Sequence, residues 1–402
     1  MEFVKKLSDQ LYWVGASDRR LALFENVYPI PRGVSYNSYL WLDEKTALLD
    51  TVDQAVSGQF FENIEAVLNG RNLDYLIVTH MEPDHAATME ELVLHYPNMQ
   101  IVCNAKMVTL IKQFFNFDID SRAILVKEKD TFNIGKHTFT FVNAPMVHWP
   151  EVMVAYESTE GILFSADAFG SFGAINGNVY ADEVNIERDW LSDYRRYYTN
   201  IVGKYGAQVQ ALLKKAGGLD IRMICPLHGP IWRENIGWLL NKYSLWSSYT
   251  PEEKAVTIFY GSIYGNTENA ANVLAGKLAD RGVKEITEYD VSMTHQSYLV
   301  SEAFRCSHIV LASATYNNGI FVNMENLVHD LVAHNLQNRT FAVMQNGSWN
   351  PASGKLIKEA LSGLKNNTML ETEVTLKSSL KPEQAGTLDA LADEIAAGIL
   401  NV

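Results

Sequence analysis

Four side chains that commonly bind metals lie within one short segment, residues 80–85, which reads His-Met-Glu-Pro-Asp-His. The apolar segment 73–79 comes directly before it, so the cluster is predicted to form a loop that follows the end of a β-strand. Neutral imidazoles and carboxylates are ligands of zinc, iron and manganese. Because ligand-type side chains this dense seldom gather for another reason, the segment predicts a metal site.

Three more candidate ligands lie at or just after the ends of apolar segments farther along the chain: His148, Asp167 and His228. Side chains at the ends of separate strands can converge on one point, so these residues are candidates for the same site. The other histidines have no such neighbours in the sequence and are predicted to be structural or exposed: His95, His137, His295, His308, His329 and His334.

A second group of candidate residues lies in three loops of the C-terminal half. Segment 259–269 joins a predicted strand to a helix with glycines and hydroxyl residues, and the N–H groups at a helix start suit a phosphate. The loops 313–319 and 345–350 follow the next predicted strands, where doubly wound sheets bind ligands. The candidate contacts are Ser262, Ile263, Tyr264, Gly265, Asn266, Thr267, Ala314, Thr315, Tyr316, Asn317, Asn318, Gly319, Asn346, Gly347, Ser348 and Trp349.

The elements that carry these residues predict two domains and a linker. Residues 1–248 mix short strands, for example 75–78 and 101–103, with helices such as 58–68 and 189–201, which is typical of a layered α/β domain. Residues 249–254 form the predicted linker. Residues 255–402 alternate strands and helices at the spacing of a doubly wound parallel sheet, without the Gly-x-Gly-x-x-Gly motif of a dinucleotide site.

Composition limits the classes of function. The 402 residues suit two domains, and the formal net charge of −14 disfavours binding to nucleic acid or to an anionic membrane. No signal peptide or membrane span is expected. Three widely separated cysteines fit a reducing cytoplasm, and they are too few for a rubredoxin-type iron site within this chain.

The order of the candidate ligands resembles the metallo-β-lactamase superfamily, whose usual motif is His-x-His-x-Asp-His followed by a distant His, Asp and His. Glu82 replaces the second His, and the added carboxylate favours iron over zinc. The resemblance implies an αββα sandwich with two metal positions bridged by Asp167. One set would be His80, Glu82 and His148, and the other Asp84, His85 and His228.

Together the two halves resemble the flavodiiron proteins (A-type flavoproteins), in which a flavodoxin-like sheet follows the metallo-β-lactamase-like sandwich. Segment 262–267 is similar to the flavodoxin phosphate loop, so it is expected to hold the phosphate of FMN, with Tyr316 and Trp349 flanking the flavin. The resemblance implies an oxidoreductase in which FMN passes electrons to two non-haem irons that reduce O2 to water, NO to N2O, or both.

The resemblance also implies partners. These are an external electron donor, either a rubredoxin or a reduced deazaflavin coenzyme, and a second copy of the chain. In that head-to-tail homodimer, or in a dimer of dimers, the FMN of one chain faces the iron pair of the other.

Two residues near the expected irons are open to interpretation. Tyr198 matches a family tyrosine and is expected either to donate a hydrogen bond to a bound diatomic molecule or to be a packed helix residue. Glu25 occupies a loop in which many members carry a histidine, and we hypothesise that it alters the preference between O2 and NO. Segment 176–187 differs from the commonest members, and no role is assigned to it.

Three alternative functions fit parts of this pattern. The first is a zinc hydrolase with an accessory flavodoxin-like domain, which the glutamate at position 82 disfavours. The second is a non-catalytic electron carrier, and the third is a sensor of O2 or NO.

Overall fold

The computed structural model describes residues 2–400, which divide into two compact units. The first unit contains residues up to 198 together with 207–244, and the second contains 199–206 and the residues from 245 onward. The predicted limits at 248 and 255 stay a prediction. The sequence does not indicate that segment 199–206 groups with the second unit.

The strands and helices of the first part of the chain are short, and they are named here in chain order. The strands are β1 (Lys5–Lys6), β2 (Leu11–Trp13), β3 (Ala16–Asp18), β4 (Leu23–Phe24), β5 (Tyr28–Pro29), β6 (Val34–Tyr36), β7 (Tyr39–Leu42), β8 (Thr46–Leu49), β9 (Tyr75–Ile77), β10 (Gln100–Cys103), β11 (Ala123–Leu125), β12 (Thr131–Asn133), β13 (Thr138–Asn143), β14 (Met153–Glu157), β15 (Ile162–Phe164) and β16 (Met223–Cys225). The α-helices are α1 (Ser57–Leu68), α2 (Pro83–Ala86), α3 (Met89–His95), α4 (Ala105–Phe114), α5 (Ile186–Asp189), α6 (Leu191–Tyr197), α7 (Gly206–Ala216) and α8 (Ile236–Ser247).

Two mixed sheets form the layers of the first unit. One runs in the order β1-β2-β7-β8-β9-β10-β11 and the other in the order β12-β13-β14-β15-β16. Their facing sides pack through aromatic rings, with Tyr39 against Phe164 at 5.3 Å and Trp41 against Phe139 at 6.2 Å between ring centroids. The predicted sandwich is confirmed.

The helices of this unit form where the predicted apolar spacing places them. In α1 the buried residues Phe60, Ile64 and Leu68 recur every four positions and so share one face of the helix. The helix ends at Asn69, which adopts the left-handed conformation common after a helix C-terminus. In α4 the Asn104 side chain accepts hydrogen bonds from two backbone N–H groups and caps the helix start.

Two local features differ from the sequence prediction. The metal-candidate segment was expected to be a loop, but its second half is the helical turn α2, which begins at Pro83 because proline suits the first helical position. The helix predicted at 189–201 is divided. It consists of α5 and α6, and a π-helical turn follows at Tyr198–Val202. Such a turn changes the direction of the side chains that follow it. Residues 198–202 contain no Pro or Gly that would predict it from the sequence.

The second unit contains a parallel sheet in the order β18-β17-β19-β21-β22, in which β23 also pairs with β21. The order 2-1-3-4 in this sheet is that of flavodoxin-like doubly wound folds, so the predicted fold is confirmed. The strands are β17 (Glu253–Gly261), β18 (Ile286–Asp290), β19 (Cys306–Tyr316), β20 (Gly319–Ile320), β21 (Thr340–Asn346), β22 (Thr368–Met369) and β23 (Val374–Leu376). The helices are α9 (Asn266–Asp280), α10 (Gln296–Arg305), α11 (Val322–Ala333), α12 (Ser353–Leu361) and α13 (Ala385–Leu400).

None of the helices in residues 2–400 is long and apolar enough to cross a membrane.

Candidate metal centre and cofactor-binding loops

The structure brings all seven candidate metal ligands into two adjoining groups. Within each group, one nitrogen or oxygen atom of each side chain lies within 4.8 Å of those of the others. The loop after β9, the turn α2 and the segments after β13, β15 and β16 supply these side chains. The first group is His80, Glu82, His148 and Asp167, and the second is Asp84, His85 and His228.

Asp167 lies between the two groups and directs one carboxylate oxygen to each. Its Oδ2 is 3.2 Å from His80 Nε2 and 3.0 Å from His148 Nε2. Its Oδ1 is 3.2 Å from His85 Nε2 and 3.6 Å from His228 Nε2. This is the geometry that a carboxylate bridging two metal ions requires.

Hydrogen bonds on the outer side orient two of the imidazole rings toward the centre. His80 Nδ1 is 2.8 Å from a Glu151 oxygen, and His228 Nδ1 donates to the carbonyl of Ser35 at 2.7 Å. Each outer partner keeps the proton on Nδ1 and leaves the lone pair of Nε2 free for a metal. His85 Nε2 and His228 Nε2 lie 3.0 Å apart, so two nitrogens converge on one position.

Several buried oxygens of the site are available to a cation. Both oxygens of Asp84 and Oδ1 of Asp167 accept no hydrogen bond in the part of the chain that the structure describes. A buried carboxylate without hydrogen bonds is costly, and a metal ion would offset that cost. Two histidines and a carboxylate in each group, with a carboxylate between them, are a donor set that suits non-haem iron.

The charges of the cluster stabilise one another. Burial by itself would lower the pKa of His148, but the carboxylates of Asp167 and Glu82 outweigh it and raise the pKa to about 9. Burial would raise the pKa of Asp167, but His80 and His85 outweigh it and hold the pKa well below the usual value. Asp167 therefore stays ionised, which is the form of a carboxylate that binds a metal.

The loop 24–26 lies against the same cluster. The Phe24 ring packs on His228 at 5.4 Å between centroids. Glu25 is an exposed residue whose carboxyl end is hydrogen-bonded to Glu82. Loss of solvation at that end, and then the Glu82 charge, raise the pKa of Glu25 to about 8. A mostly protonated Glu25 therefore lies beside Glu82 at neutral pH, and its effect on substrate preference stays a prediction.

The tyrosine that contacts the site is Tyr197, which sequence analysis did not single out. Its ring lies 5.4 Å from His228, and its buried hydroxyl has no hydrogen-bond partner within residues 2–400. Tyr198 is also buried and packs on Tyr243 at 5.0 Å. Neighbouring helix residues point about 100° apart, so the sequence pair Tyr-Tyr alone does not tell which one faces the site. The role predicted for Tyr198 stays a prediction.

The first candidate cofactor loop connects β17 to the start of α9. Gly265 adopts φ +85, a conformation that a side chain would strain, and α9 begins at the next residue. The backbone N–H of Gly265 donates a hydrogen bond to Ser262 Oγ at 3.1 Å, which holds the loop in a tight turn. The buried Thr267 hydroxyl lies in the first turn of this long helix, where free N–H groups favour an anion.

The other two loops follow β19 and β21 at the same edge of the sheet. Asn317 and Asn318 both have positive φ and form the two-residue turn between β19 and β20. Asn346, at the end of β21, donates to Thr267 Oγ1 at 3.2 Å and so joins the third loop to the first. The predicted contact residues of the three loops thus lie at the carboxyl ends of adjacent strands, as a ligand site in this fold requires.

Aromatic side chains of these loops are largely exposed to solvent. Tyr264 exposes 91% of its surface, Trp349 88% and Tyr316 44%. Exposed aromatic rings of this kind are able to stack on a planar ligand. The loops therefore fit a phosphate-bearing flavin, with backbone N–H groups for the phosphate and rings for the isoalloxazine.

Comparison with protein families assigns a different family to each half of the chain. Residues 34–229 match the ODP family beta lactamase model, and residues 258–395 match the flavodoxin model.

Similar proteins match along nearly the whole chain. The anaerobic nitric oxide reductase flavorubredoxin of Vibrio vulnificus is 29% identical over 383 residues, covering 94% of this chain and 76% of that protein. Rubredoxin oxygen:oxidoreductase from Desulfovibrio gigas is 30% identical, with a TM-score of 0.92 and 99% of both chains covered. The flavodiiron protein from Giardia intestinalis has the same fold, with a TM-score of 0.92 at 24% identity over 100% of this chain and 98% of that one.

Proposed function

This chain belongs to the flavodiiron protein family, and we propose that it is a reductase that passes electrons from FMN to a diiron centre, where O2 becomes water, NO becomes N2O, or both. The observation that carries this proposal is the pair of ligand groups joined by Asp167 in a chain that also has a flavodoxin-like sheet. The zinc hydrolase alternative is not supported, because the similar reductases and oxidoreductases match both halves of the chain.

We assign the two irons to the two ligand groups. His80, Glu82 and His148 would hold one iron, while Asp84, His85 and His228 would hold the other, with Asp167 bridging. When bound, the irons supply reducing electrons and act as Lewis acids toward a small ligand. The protein holds the donor atoms together in a buried cluster and excludes most of the solvent from it.

Two side chains beside the ligands are proposed to act on the substrate. Tyr197 would donate a hydrogen bond to a bound diatomic molecule, because its unpaired hydroxyl is buried beside His228. Glu25 would set the polarity of the pocket through its carboxyl end beside Glu82. Tyr198, which packs on Tyr243, would support the position of its neighbour.

FMN would bind in the three loops of the second unit. The phosphate would lie at the start of α9, near Ser262 and Thr267, and the flavin would stack on the rings of Tyr316 and Trp349. These loops would hold the flavin and tune its electronic properties, while the flavin carries the electron chemistry.

The partners are part of the proposal. A separate rubredoxin is the favoured electron donor, since the Desulfovibrio gigas relative is a rubredoxin oxygen:oxidoreductase, and a reduced deazaflavin coenzyme is the other candidate. A head-to-tail homodimer or a dimer of dimers would bring the FMN of one chain to the irons of the next.

The three cysteines are free thiols, which fits a reducing cytoplasm.

Anaerobic turnover of the pre-reduced protein with O2 and with NO, at equal concentrations, tests the proposal. Rapid consumption of one gas or of both would support it and would name the substrate. If protein that holds iron and FMN consumed neither gas, the reductase proposal would be wrong, and a sensor or carrier role would replace it. Two zinc ions and no flavin in the purified protein would also contradict it.

A further inference from the structure

We propose that Glu151 is a positioning residue that makes the two metal positions unequal, by adding negative charge behind His80. This inference deepens the proposed function and rests on the assignment of irons to the two ligand groups. In the half-reduced centre, the ferric ion would then occupy the position held by His80, Glu82 and His148.

Glu151 makes two hydrogen bonds to the segment that carries the first ligand. Its Oε1 lies 2.8 Å from His80 Nδ1 and accepts the Met81 N–H at 3.0 Å. His80 exposes none of its surface, and Glu151 exposes 1%. A carboxylate buried against a metal-ligating imidazole fixes the ring and makes its other nitrogen a stronger donor.

The second oxygen of Glu151 does not share the carboxylate charge with another hydrogen-bond donor among the described residues. Oε2 is buried and has no hydrogen-bond partner among the described residues. The backbone of Glu151 is held separately, because its carbonyl accepts a hydrogen bond from Asn104 Nδ2 at 2.7 Å. The negative charge therefore acts mainly on the imidazole of His80 and on the nearby metal position.

Within residues 2–400, no carboxylate from outside the ligand groups is hydrogen-bonded to the outer nitrogens of the histidines at the second metal position. His228 Nδ1 is hydrogen-bonded to the neutral carbonyl of Ser35 at 2.7 Å, and His85 Nδ1 is buried with no hydrogen-bond partner in the described structure. Asp50 is also buried nearby, but its hydrogen bonds go to Thr79 and to the backbone N–H of His80 rather than to an imidazole ring.

The asymmetry has a redox consequence. Each group has one carboxylate of its own, and Asp167 is shared. Glu151 adds a carboxylate hydrogen bond to an imidazole of the first position, and no carboxylate outside the ligand groups makes such a bond to an imidazole of the second position among the described residues. Negative charge stabilises a trivalent ion more than a divalent one. The first position is therefore the harder of the two to reduce.

The variant Glu151→Gln separates charge from shape. A glutamine oxygen can still accept both hydrogen bonds, but the negative charge is lost. We expect iron affinity at one position to fall about 10–100-fold, as for other losses of an outer-shell partner. We also expect the reduction potential of one iron to rise, by about 59 mV for each tenfold loss of ferric preference. Mössbauer spectra should show one iron changed and the other unchanged.

A matched control is available on the neighbouring strand. Glu157 is fully buried and accepts two backbone N–H bonds, from Thr159 at 2.7 Å and Glu160 at 2.8 Å. Glu157→Gln removes a similar buried charge away from the metal ligands. It should leave the iron affinity, the potential and the Mössbauer spectrum at their wild-type values.

Each outcome decides the matter. An unchanged potential and unchanged spectra in Glu151→Gln, or the same shift in Glu157→Gln, would overturn the inference. If Glu151→Gln does not fold, Glu151→Asp keeps the charge but moves it, and an unshifted iron spectrum there would overturn the inference too. Because these measurements need no turnover, a confirmed shift in a protein that reduces neither gas would refute the reductase proposal and leave this inference intact.

Discussion

The candidate metal site and the candidate cofactor site place their functional groups in opposite environments. None of the seven metal-candidate residues exposes more than 9% of its surface, whereas Trp349 in the cofactor loops exposes 88%. The first site is made of side chains from separate segments that surround one point. The second is made of three loops at one edge of a parallel sheet, in which backbone groups and rings face solvent.

The difference follows from the ligand that each site is built to take. A cation must be surrounded by charged and polar donors, and histidine–carboxylate pairs allow such donors to be buried together before it binds. A large planar cofactor brings its own apolar surface, so the site needs only a phosphate anchor and exposed rings. Losing one donor should therefore disable the first site, while the second should tolerate single changes.

The largest effect is expected from Asp167→Asn. This change removes the charge that both ligand groups share, so the iron affinity should fall by more than the roughly 10–100-fold that loss of an outer-shell partner costs. Metal analysis and gas consumption measure the effect, and FMN content should not change. Asp182→Asn, in a surface ion pair with Arg233, is the control. Full iron occupancy and full activity in Asp167→Asn would remove this residue from the site.

A smaller effect is expected from Thr267→Val. The buried hydroxyl at the start of α9 would lose its bond to the phosphate, at a cost of about 1.5–3 kcal/mol, or roughly 10–100-fold in FMN affinity. Riboflavin lacks the phosphate and so serves as the control ligand, and its affinity should fall less than that of FMN, because it loses only the effect of the broken Asn346–Thr267 hydrogen bond. Equal losses for FMN and riboflavin would mean that Thr267 does not contact the phosphate.

Trp349→Ala should weaken flavin binding modestly. Loss of one stacking ring costs about 1 kcal/mol, or roughly fivefold in affinity, and it should affect FMN and riboflavin alike while the iron content stays constant. Met293→Ala, at another exposed apolar position of the same unit, is the control. An unchanged affinity and flavin spectrum would exclude Trp349 from the site.

The buried His308 of the second unit should make the stability of the folded chain depend on pH. Unlike His80 and His148, it is hydrogen-bonded to a neutral hydroxyl, that of Ser307, and burial lowers its pKa to about 4. The unfolded chain, with a histidine pKa near 6.5, binds a proton at a pH where the folded chain does not. Stability should therefore be complete above pH 6.5 and fall between pH 6.5 and 4, by at most about 3 kcal/mol.

Chemical unfolding of the wild type and of His308→Gln across this pH range measures the effect. The difference in free energy of unfolding between the two proteins should change with pH in the direction stated. A constant difference would show that His308 titrates alike in the folded and unfolded chains.

The smallest effect is expected from Glu25→His. This change replaces the carboxyl of an exposed residue beside Glu82 with an imidazole that is able to carry a positive charge, so the ratio of O2 to NO turnover should shift by roughly two- to fivefold, which corresponds to about 0.5–1 kcal/mol for an exposed charge. Iron and FMN contents should stay at wild-type values. An unchanged ratio would show that Glu25 does not set the preference.

The sequence was sufficient to predict residue types and their order along the chain. Local spacing after apolar strands was enough to identify most candidate site residues. These are the segment 80–85, the later His148, Asp167 and His228, and the loop before α9. The strand and helix pattern predicted a layered α/β domain followed by a doubly wound sheet, because periodicity and turn residues are local properties. The αββα arrangement of the first domain came from the resemblance of the ligand order to a known family.

The tertiary structure alone decided which groups meet. Glu151 is 71 positions from His80 along the chain, and no local pattern links them. The ring of Tyr197 packs on His228, whereas the ring of Tyr198 packs on Tyr243. Asp167 divides its two oxygens between the ligand groups because separate strands end at one point. Spacing along a chain encodes the direction of neighbouring side chains, but distances between remote segments depend on how whole layers pack.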